Sequence, residues 1–219
     1  MALNLEQARF NMVEQQVRTW DVLDSQVLDV LRQVPREDFV PSRYRKMAFA
    51  DLRIPLTRGQ VMMKPLEEGR MLQALEIQSG QRVLEIGTGS GFVAACLSAL
   101  GAEVVTVEIH NELADSAATR LKRLGFDQVD VFSGDALGAF SIDGHFDVVV
   151  VTASAAEVPE RFFDWVRSGG RLFCVRGLSP AMEAVCLHHR AEGRWLADSL
   201  FETDLPRLIG AEDKKVFNF

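Results

Sequence analysis

The stretch "VLEIGTGSGF", residues 83–92, decides the fold of this chain. It is an apolar strand pattern that runs into a glycine-rich turn and then into an apolar helix. Gly87, Gly89 and Gly91 allow a tight turn because glycine tolerates positive φ. They also let a ligand approach the main-chain amides at the helix N-terminus, where the helix dipole favours negative charge. The stretch therefore predicts the first strand and the ligand-binding turn of an α/β sheet.

The rest of the chain continues this alternation of strands and helices. Apolar runs typical of strands follow at residues 103–109, 129–134, 146–151 and 170–175, and helical patterns lie at residues 91–100, 111–124 and 157–167. Consecutive apolar residues are typical of strands buried on both faces, and alternation with helices indicates a doubly wound, mostly parallel sheet. Two more apolar runs, at residues 182–189 and 194–202, have no helix between them. They predict an antiparallel end to a seven-stranded, Rossmann-like sheet.

A helical extension precedes this sheet. Residues 5–34 show helical spacing of apolar residues. Asp24 or Ser25 is suited to cap the second half of this run, and Pro35 ends it. We therefore expect helices before the first strand.

A loop on the substrate side is expected between these helices and the sheet. Residues 36–64 carry prolines, a glycine and scattered apolar residues, which indicates irregular structure with short strands. Pro65 is suited to the first position of a helix. The predicted organisation is N-terminal helices and a substrate-side loop over residues 1–64, and one compact core over residues 65–219.

Composition limits the classes of function. The 219 residues are 47% hydrophobic and 25% charged, which are ordinary values for a globular domain. A net charge of −7 disfavours nucleic acid and anionic membranes as partners, because both attract clustered Lys and Arg. The three cysteines form no CxxC pair, which favours reduced thiols. With no leader pattern and no apolar run of ~18 residues, we expect a cytoplasmic protein. We also expect a monomer or weak dimer.

The glycine-rich turn differs from two familiar nucleotide sites. A nicotinamide or flavin site of the G-x-G-x-x-G type needs glycine where Phe92 stands, and a phosphate loop needs a G-K-[ST] sequence that is absent. Glu85 beside the turn would repel a pyrophosphate. The same carboxylate suits S-adenosylmethionine, whose ammonium and sulfonium groups are cationic. This ligand's own carboxylate suits the helix N-terminus.

Two acidic residues after later strands fit the rest of such a cofactor. Glu108 closes the second strand run and can accept hydrogen bonds from both ribose hydroxyls. Asp135 follows the third run and can accept from an adenine amino group, while Ala136 offers a main-chain amide. The four histidines have no metal-binding spacing, so no metal site is predicted.

Several stretches together resemble the protein-L-isoaspartate O-methyltransferase family. They are "VLDVLRQVPREDFVP" (27–41), "IPLTRGQ" (54–60), "VLEIGTGSGF" (83–92), "FSGDALG" (132–138), "FDVVVVTASAAEVP" (146–159) and "GGRLFCVRG" (169–177), in the family's order. The resemblance implies a methyltransferase that uses S-adenosylmethionine to esterify the carboxylate of isoaspartyl residues in damaged proteins. Its acceptor would be a protein or peptide carboxylate. Such an acceptor is already ionised at pH 7, because the pKa of a free carboxyl group is near ~4, so no general base is needed.

The resemblance also implies which residues form the site. Predicted cofactor-binding residues are Glu85, Gly87, Thr88, Gly89, Ser90, Glu108, Ile109, Gly134, Asp135, Ala136 and Thr152. Gln60 and Met63 stand at catalytic positions. Leu56, Val61, Met62 and Lys64 stand on the substrate side.

The substrate-side loop departs from the family pattern P-[IL]-G-x-G-Q-T-I-S-x-P. Val61 replaces the threonine and Met63 replaces the serine assigned to the active site, and Lys64 is a possible source of replacement positive charge. Losing a hydroxyl donor to a carboxylate costs roughly 1 to 3 kcal/mol. Three interpretations follow: an isoaspartyl methyltransferase of altered efficiency, a methyltransferase with another acceptor, or a non-catalytic cofactor-binding module.

Overall fold

A computed structural model describes residues 4–212 of the chain. Its N-terminal part is helical, as the spacing predicts. Helix α1, Leu5–Asn11, continues as a π-helical segment, Met12–Val17, and a 3-10 turn, Arg18–Trp20. Asp21 then breaks the predicted continuous run because its φ of 59° is left-handed. Helix α2, Ser25–Gln33, follows.

The start of α2 confirms the first of the two predicted caps. The Asp24 side chain accepts a hydrogen bond from the main-chain N–H of Gln26 at 2.8 Å. It also accepts one from Val27, and so satisfies donors that the first turn leaves unpaired. This cap fixes where the chain turns towards the core.

The segment between α2 and the sheet is irregular, as predicted. It contains 3-10 turns at Arg36–Asp38, Ser42–Met47 and Thr57–Gly59. Two short strands, β1 (Ile54–Pro55) and β2 (Val61–Met62), pair antiparallel around the last of these turns. Helix α3, Pro65–Leu75, then begins at the expected proline.

Seven strands form the main sheet: β3 (Arg82–Ile86), β4 (Glu103–Glu108), β5 (Asp130–Ser133), β6 (Phe146–Ala155), β7 (Val166–Leu178), β8 (Ala181–His189) and β9 (Trp195–Thr203). Their order is β5-β4-β3-β6-β7-β8-β9. Strands β3 to β7 pair parallel with one another, and β8 pairs antiparallel with both β7 and β9. This confirms the doubly wound sheet with an antiparallel end.

Helices α4 (Phe92–Ala99), α5 (Asn111–Arg123) and α6 (Glu160–Asp164) connect the parallel strands. The sequence predicts a longer last helix, over residues 157–167. The structure shortens it because Pro159 precedes its first turn and β7 already begins at Val166. No helix among residues 4–212 combines the length and the apolar character needed to cross a bilayer.

Both faces of the sheet are buried, which explains its consecutive apolar runs. Val148 and Val150 of β6 belong to the hydrophobic cluster that includes the N-terminal helices, α3 and α4. Val149 and Val151 belong to the cluster on the other face. The polar residues at the carboxyl ends of the strands are left to form a site at that end of the sheet.

The site lies where the strand order reverses direction. Strand β3 has β4 on one side and β6 on the other. The connections that leave these strands diverge, and a crevice opens outside their carboxyl ends. The glycine-rich turn of residues 87–91 lies at this point.

Candidate active site

Two cavities meet at Gly87. The first is lined by Gln60, Ile86, Gly87, Val107, Glu108, Ile109, Gly134, Asp135, Ala136, Leu137, Ala153, Arg207, Leu208 and Ile209. The second is lined by Val61, Met62, Met63, Glu68, Glu85, Gly87, Thr88, Gly89, Ser90, Phe92, Val93 and Thr152. We call them the first and the second cavity. The predicted residues that follow β4 and β5 line the first cavity, and those of β2 in the substrate-side loop line the second.

The turn after β3 has no room for a side chain at its first glycine. Gly87 has a φ of 101°, and a Cβ placed on it would lie 2.6 Å from Thr152 Oγ1. The Thr152 hydroxyl instead donates a hydrogen bond to the Gly87 carbonyl at 2.6 Å. The absence of a side chain thus lets the end of β6 hold the turn directly.

Glu108 lies at the end of β4 with its carboxylate in the first cavity. One oxygen accepts a hydrogen bond from Gly89 N at 2.9 Å, and the other accepts from His110 N at 3.1 Å. Each carboxylate oxygen has a second acceptor site, so the group can also take two hydroxyl donors. The main-chain contacts fix the carboxylate in the orientation in which it faces the cavity.

Asp135 lines the same cavity from the turn after β5. Its Oδ1 accepts a hydrogen bond from Leu137 N at 2.8 Å, while the side chain as a whole stays exposed. Ile109 and Ala136 add apolar surface beside it. The cavity thus combines acidic acceptors with the apolar walls that suit a flat heterocycle.

Glu85 is the most buried acidic residue of the predicted set, with no exposed surface. Its Oε2 accepts from Thr106 Oγ1 at 2.7 Å, and that hydroxyl lies 2.6 Å from Thr88 Oγ1. Its Oε1 has no hydrogen-bond partner within residues 4–212. Burial raises the pKa of Glu85 to about 8; the Thr106 hydrogen bond opposes this, and the charge of Glu108 adds to it. A cationic group entering the second cavity would satisfy the unpaired oxygen.

Met62 and Met63 form the apolar wall of the second cavity. Both side chains are 4% exposed. Met62 pairs with Ile54 across the β1–β2 hairpin. The Met63 carbonyl accepts a hydrogen bond from Arg36 Nη2 at 2.8 Å. The methionines therefore fill core volume and also border the site.

Two predicted substrate-side residues line neither cavity. Lys64 caps α3, its main-chain N–H donates to Glu67 Oε2 at 3.0 Å, and its side chain borders a separate surface groove. Leu56 lies behind the glycine turn, and its Cδ1 is 3.4 Å from the point where a Cβ on Gly89 would lie. Gln60 reaches the first cavity rather than the second.

The structure adds residues that sequence reasoning missed. The segment Leu205–Ile209 returns to β6, where the Ser154 hydroxyl donates to the Leu205 carbonyl at 2.7 Å. Leu208 N donates to the Ser154 carbonyl at 2.8 Å. This attachment places Arg207, Leu208 and Ile209 in the wall of the first cavity. Glu68 of α3 lines the second cavity, and its ion-pair partner Arg36 lies behind the Met63 carbonyl.

Metal ligands are not grouped in this region. Within residues 4–212, no set of three His, Cys, Asp or Glu side chains is arranged to hold a metal ion. The buried titratable groups near the cavities include Glu68, Glu85, Glu108 and Cys96. Burial raises the pKa of the Cys96 thiol well above its usual range. We assign no role in the site to Cys96, which is fully buried in α4.

The fold and the position of the crevice first define the class of protein: a Rossmann-like α/β protein with a cleft at the switch point of its sheet. Comparison with known proteins then narrows it. The family model described as protein-L-isoaspartate(D-aspartate) O-methyltransferase matches residues 7–198. This chain therefore belongs to that family of methyltransferases, as the sequence motifs indicate.

Individual relatives cover nearly the whole chain. A protein-L-isoaspartate O-methyltransferase from Koribacter versatilis is 36% identical over 202 residues, which is 92% of this chain and 90% of the relative. One from Methanoculleus marisnigri is 39% identical over 186 residues, or 85% and 84% of the two chains. A Plasmodium falciparum protein-L-isoaspartate O-methyltransferase, solved in complex with S-adenosyl-L-homocysteine, has a TM-score of 0.78. The match covers 94% of this chain and 99% of the Plasmodium chain. Because the sequence identity is 19%, this similarity concerns the fold alone.

Proposed function

We propose that this chain is an S-adenosylmethionine-dependent methyltransferase that esterifies the carboxylate of isoaspartyl residues in proteins or peptides. Membership of the family supports the reaction. The observation that carries the cofactor assignment is the pair of cavities around Gly87, with the Glu108 carboxylate in one and an unpaired oxygen of buried Glu85 at the other. A ligand that is hydroxylated at one end and cationic at the other matches both.

The residues of the first cavity bind the nucleoside part of the donor. Glu108 accepts from the two ribose hydroxyls, since both of its oxygens are already oriented by main-chain amides. Asp135 accepts from the adenine amino group, beside the apolar surface of Ile109 and Ala136. Gly134 lies on the same wall, and a Cβ on it would lie 3.0 Å from the Phe140 ring.

The residues around the glycine turn bind the amino-acid part of the donor. Gly87, Gly89 and Ser90 bring the main chain close to the ligand without large side chains. Glu85 faces the cationic end, where the ligand's positive charge favours the ionised carboxylate and so lowers its raised pKa. Thr88 and Thr152 hold the turn in place.

The reaction requires little of the protein beyond positioning the methyl donor and the acceptor carboxylate. S-adenosylmethionine, when bound, supplies an electrophilic methyl group on sulfur. The acceptor carboxylate is ionised at neutral pH and attacks without a general base. The buried side chains of Met62 and Met63 exclude water from the second cavity, and Gln60 lines the first cavity. Orientation in a dry site lowers the barrier by several kcal/mol.

Met63 makes the isoaspartyl reaction slower than a hydroxyl at this position would allow. A thioether donates no hydrogen bond to the acceptor carboxylate, and Val61 beside it donates none either. This apolar wall also favours a second candidate, a methyltransferase of the same fold and cofactor that takes a bulkier or more apolar acceptor. A non-catalytic cofactor-binding module is the third candidate, and only an activity measurement separates it from the first two.

The cellular setting is part of the same proposal. The thiols of Cys96, Cys174 and Cys186 are free and buried, which supports a reducing, cytoplasmic location. The net charge of −7 supports a partner other than nucleic acid or membrane. We further propose a monomer or weak dimer in which residues 1–64 supply the acceptor side and residues 65–219 the core that binds the donor.

The test uses methyl-labelled S-adenosylmethionine with an isoaspartyl peptide and its aspartyl twin. Transfer to the isoaspartyl peptide alone supports the family reaction. Donor binding by calorimetry without transfer to either peptide, at high protein concentration, rules it out and favours the other two candidates. Transfer to other acceptors, measured in parallel, separates those two from each other.

A further inference from the structure

Arg36 is a charged side chain with no exposed surface, located in the 3-10 turn that follows α2. Its guanidinium donates to three groups: Nε to the Ala48 carbonyl at 2.8 Å, Nη2 to the Met63 carbonyl at 2.8 Å, and Nη1 to the Glu68 carboxylate. The guanidinium carbon also lies 4.7 Å from the centroid of the Phe92 ring. One side chain thus contacts the substrate-side loop at two places, Ala48 and Met63, and also contacts α3 and α4.

Stability alone is a weak reason for this arrangement. A buried ion pair loses the hydration of both charges, and well-packed apolar residues in its place often give an equally stable protein. Apolar residues cannot supply hydrogen bonds of fixed direction. The planar guanidinium presents its donors in a fixed fork, so the positions of its three acceptors are fixed relative to one another.

The fixed acceptor of greatest consequence is the Met63 carbonyl. Met63 lines the second cavity with its side chain and is anchored through its main chain. The adjacent strand β2 is only two residues long, so the loop has little regular structure of its own to hold it. The Arg36 hydrogen bond therefore determines where the wall of the second cavity stands.

We infer that Arg36 is a positioning residue of the acceptor site: it holds the Met63 main chain so that the acceptor is aligned with the donor. This inference rests on the proposed function. Arg36 touches neither the donor nor the acceptor and acts through Met63. Its ion pair with Glu68 has a second effect, because it neutralises a carboxylate that lines the cavity into which an anionic acceptor enters.

A double variant separates positioning from stability. Arg36→Met with Glu68→Leu removes both buried charges and fills the space with apolar side chains, so we expect the fold to be retained. We expect donor affinity within twofold of wild type by calorimetry. We expect kcat/KM for the isoaspartyl peptide to fall 10- to 100-fold, because a misplacement of about 1 Å can cost ~100-fold in rate.

Two single variants keep the inference testable if the double variant does not fold. Glu68→Gln removes the partner charge but retains the Arg36–Met63 hydrogen bond, so its loss in kcat/KM should be at least threefold smaller than that of Arg36→Lys. Arg36→Lys retains a cation beside Glu68 but lacks the fork, and it should lose activity as the double variant does. Arg45→Met, which removes an exposed pair with Asp38 in the same segment, is the matched control and should change neither quantity.

Several outcomes would overturn the inference. A folded double variant or Arg36→Lys variant with wild-type kcat/KM would do so, as would a Glu68→Gln variant that loses as much activity as they do. If the wild type transfers methyl groups normally and only these results differ from expectation, the proposed function stands. A wild type that neither methylates nor binds the isoaspartyl peptide would overturn both.

Discussion

Replacing Met63 with serine restores the hydroxyl that the family places in the substrate-side loop, and the structure gives both the gain and the cost. Met63 is 4% exposed and lines the second cavity. Its carbonyl stays bound to Arg36 in the variant, so the main chain remains in place. The new hydroxyl would therefore face the acceptor rather than move away with the loop.

The gain follows from one hydrogen bond to a charged acceptor. Such a bond contributes about 1.5 to 3 kcal/mol. At 1.36 kcal/mol for each factor of ten, kcat/KM for the isoaspartyl peptide should rise about 10- to 150-fold. The cost is a cavity where the thioether was, and removal of a buried methionine side chain lowers the free energy of unfolding by about 2 to 5 kcal/mol.

The assay measures initial rates of methyl transfer at saturating donor, with urea unfolding recorded for each variant. Met63→Ala is the matched control because it opens the same space and adds no hydroxyl. It should lose similar stability without the gain in rate. A folded Met63→Ser variant with an unchanged rate, or equal gains from alanine and serine, would refute the reasoning.

Two further predictions concern the acidic residues of the site. Glu108→Ala should weaken donor binding by about 100-fold or more in calorimetry, since it removes acceptors worth about 3 kcal/mol. Glu112→Ala, exposed on α5, should leave donor affinity unchanged, and an equal loss in both would contradict the ribose assignment. Glu85 has a pKa of about 8 in the folded protein and 4.5 when unfolded, so its contribution to stability is present below pH 4.5 and is lost as pH rises through 8. Relative to Glu85→Gln, wild type should thus lose roughly 3 to 5 kcal/mol between pH 5 and pH 8.5 in urea unfolding, and parallel curves would exclude this.

Local patterns predict the parts of the site that local structure determines. The turn at Gly87 and the position of Glu108 follow from strand periodicity, because residues at the carboxyl ends of adjacent parallel strands must meet. The family, the sheet and its antiparallel end are confirmed. The proline that begins α3 and the cap at Asp24 are also confirmed, and each acts within a few residues of its own position.

Residues placed by long-range packing could not be predicted in this way. Arg36 lies in a run of charged residues that is typical of an exposed turn, and contacts with residues 48, 63, 68 and 92, all distant in sequence, bury it. The last interstrand helix is shorter than its pattern because β7 begins early. The site roles assigned to the residues of the two cavities remain predictions for the experiments above.

The attachment of Leu205–Ile209 to Ser154 has a consequence for biosynthesis. The glycine turn leaves the ribosome early, but the wall of the first cavity is completed only when this much later segment has been made. A ligand stabilises only the state that binds it. We therefore expect S-adenosylmethionine to stabilise the complete first cavity only after Leu205–Ile209 has bound to Ser154.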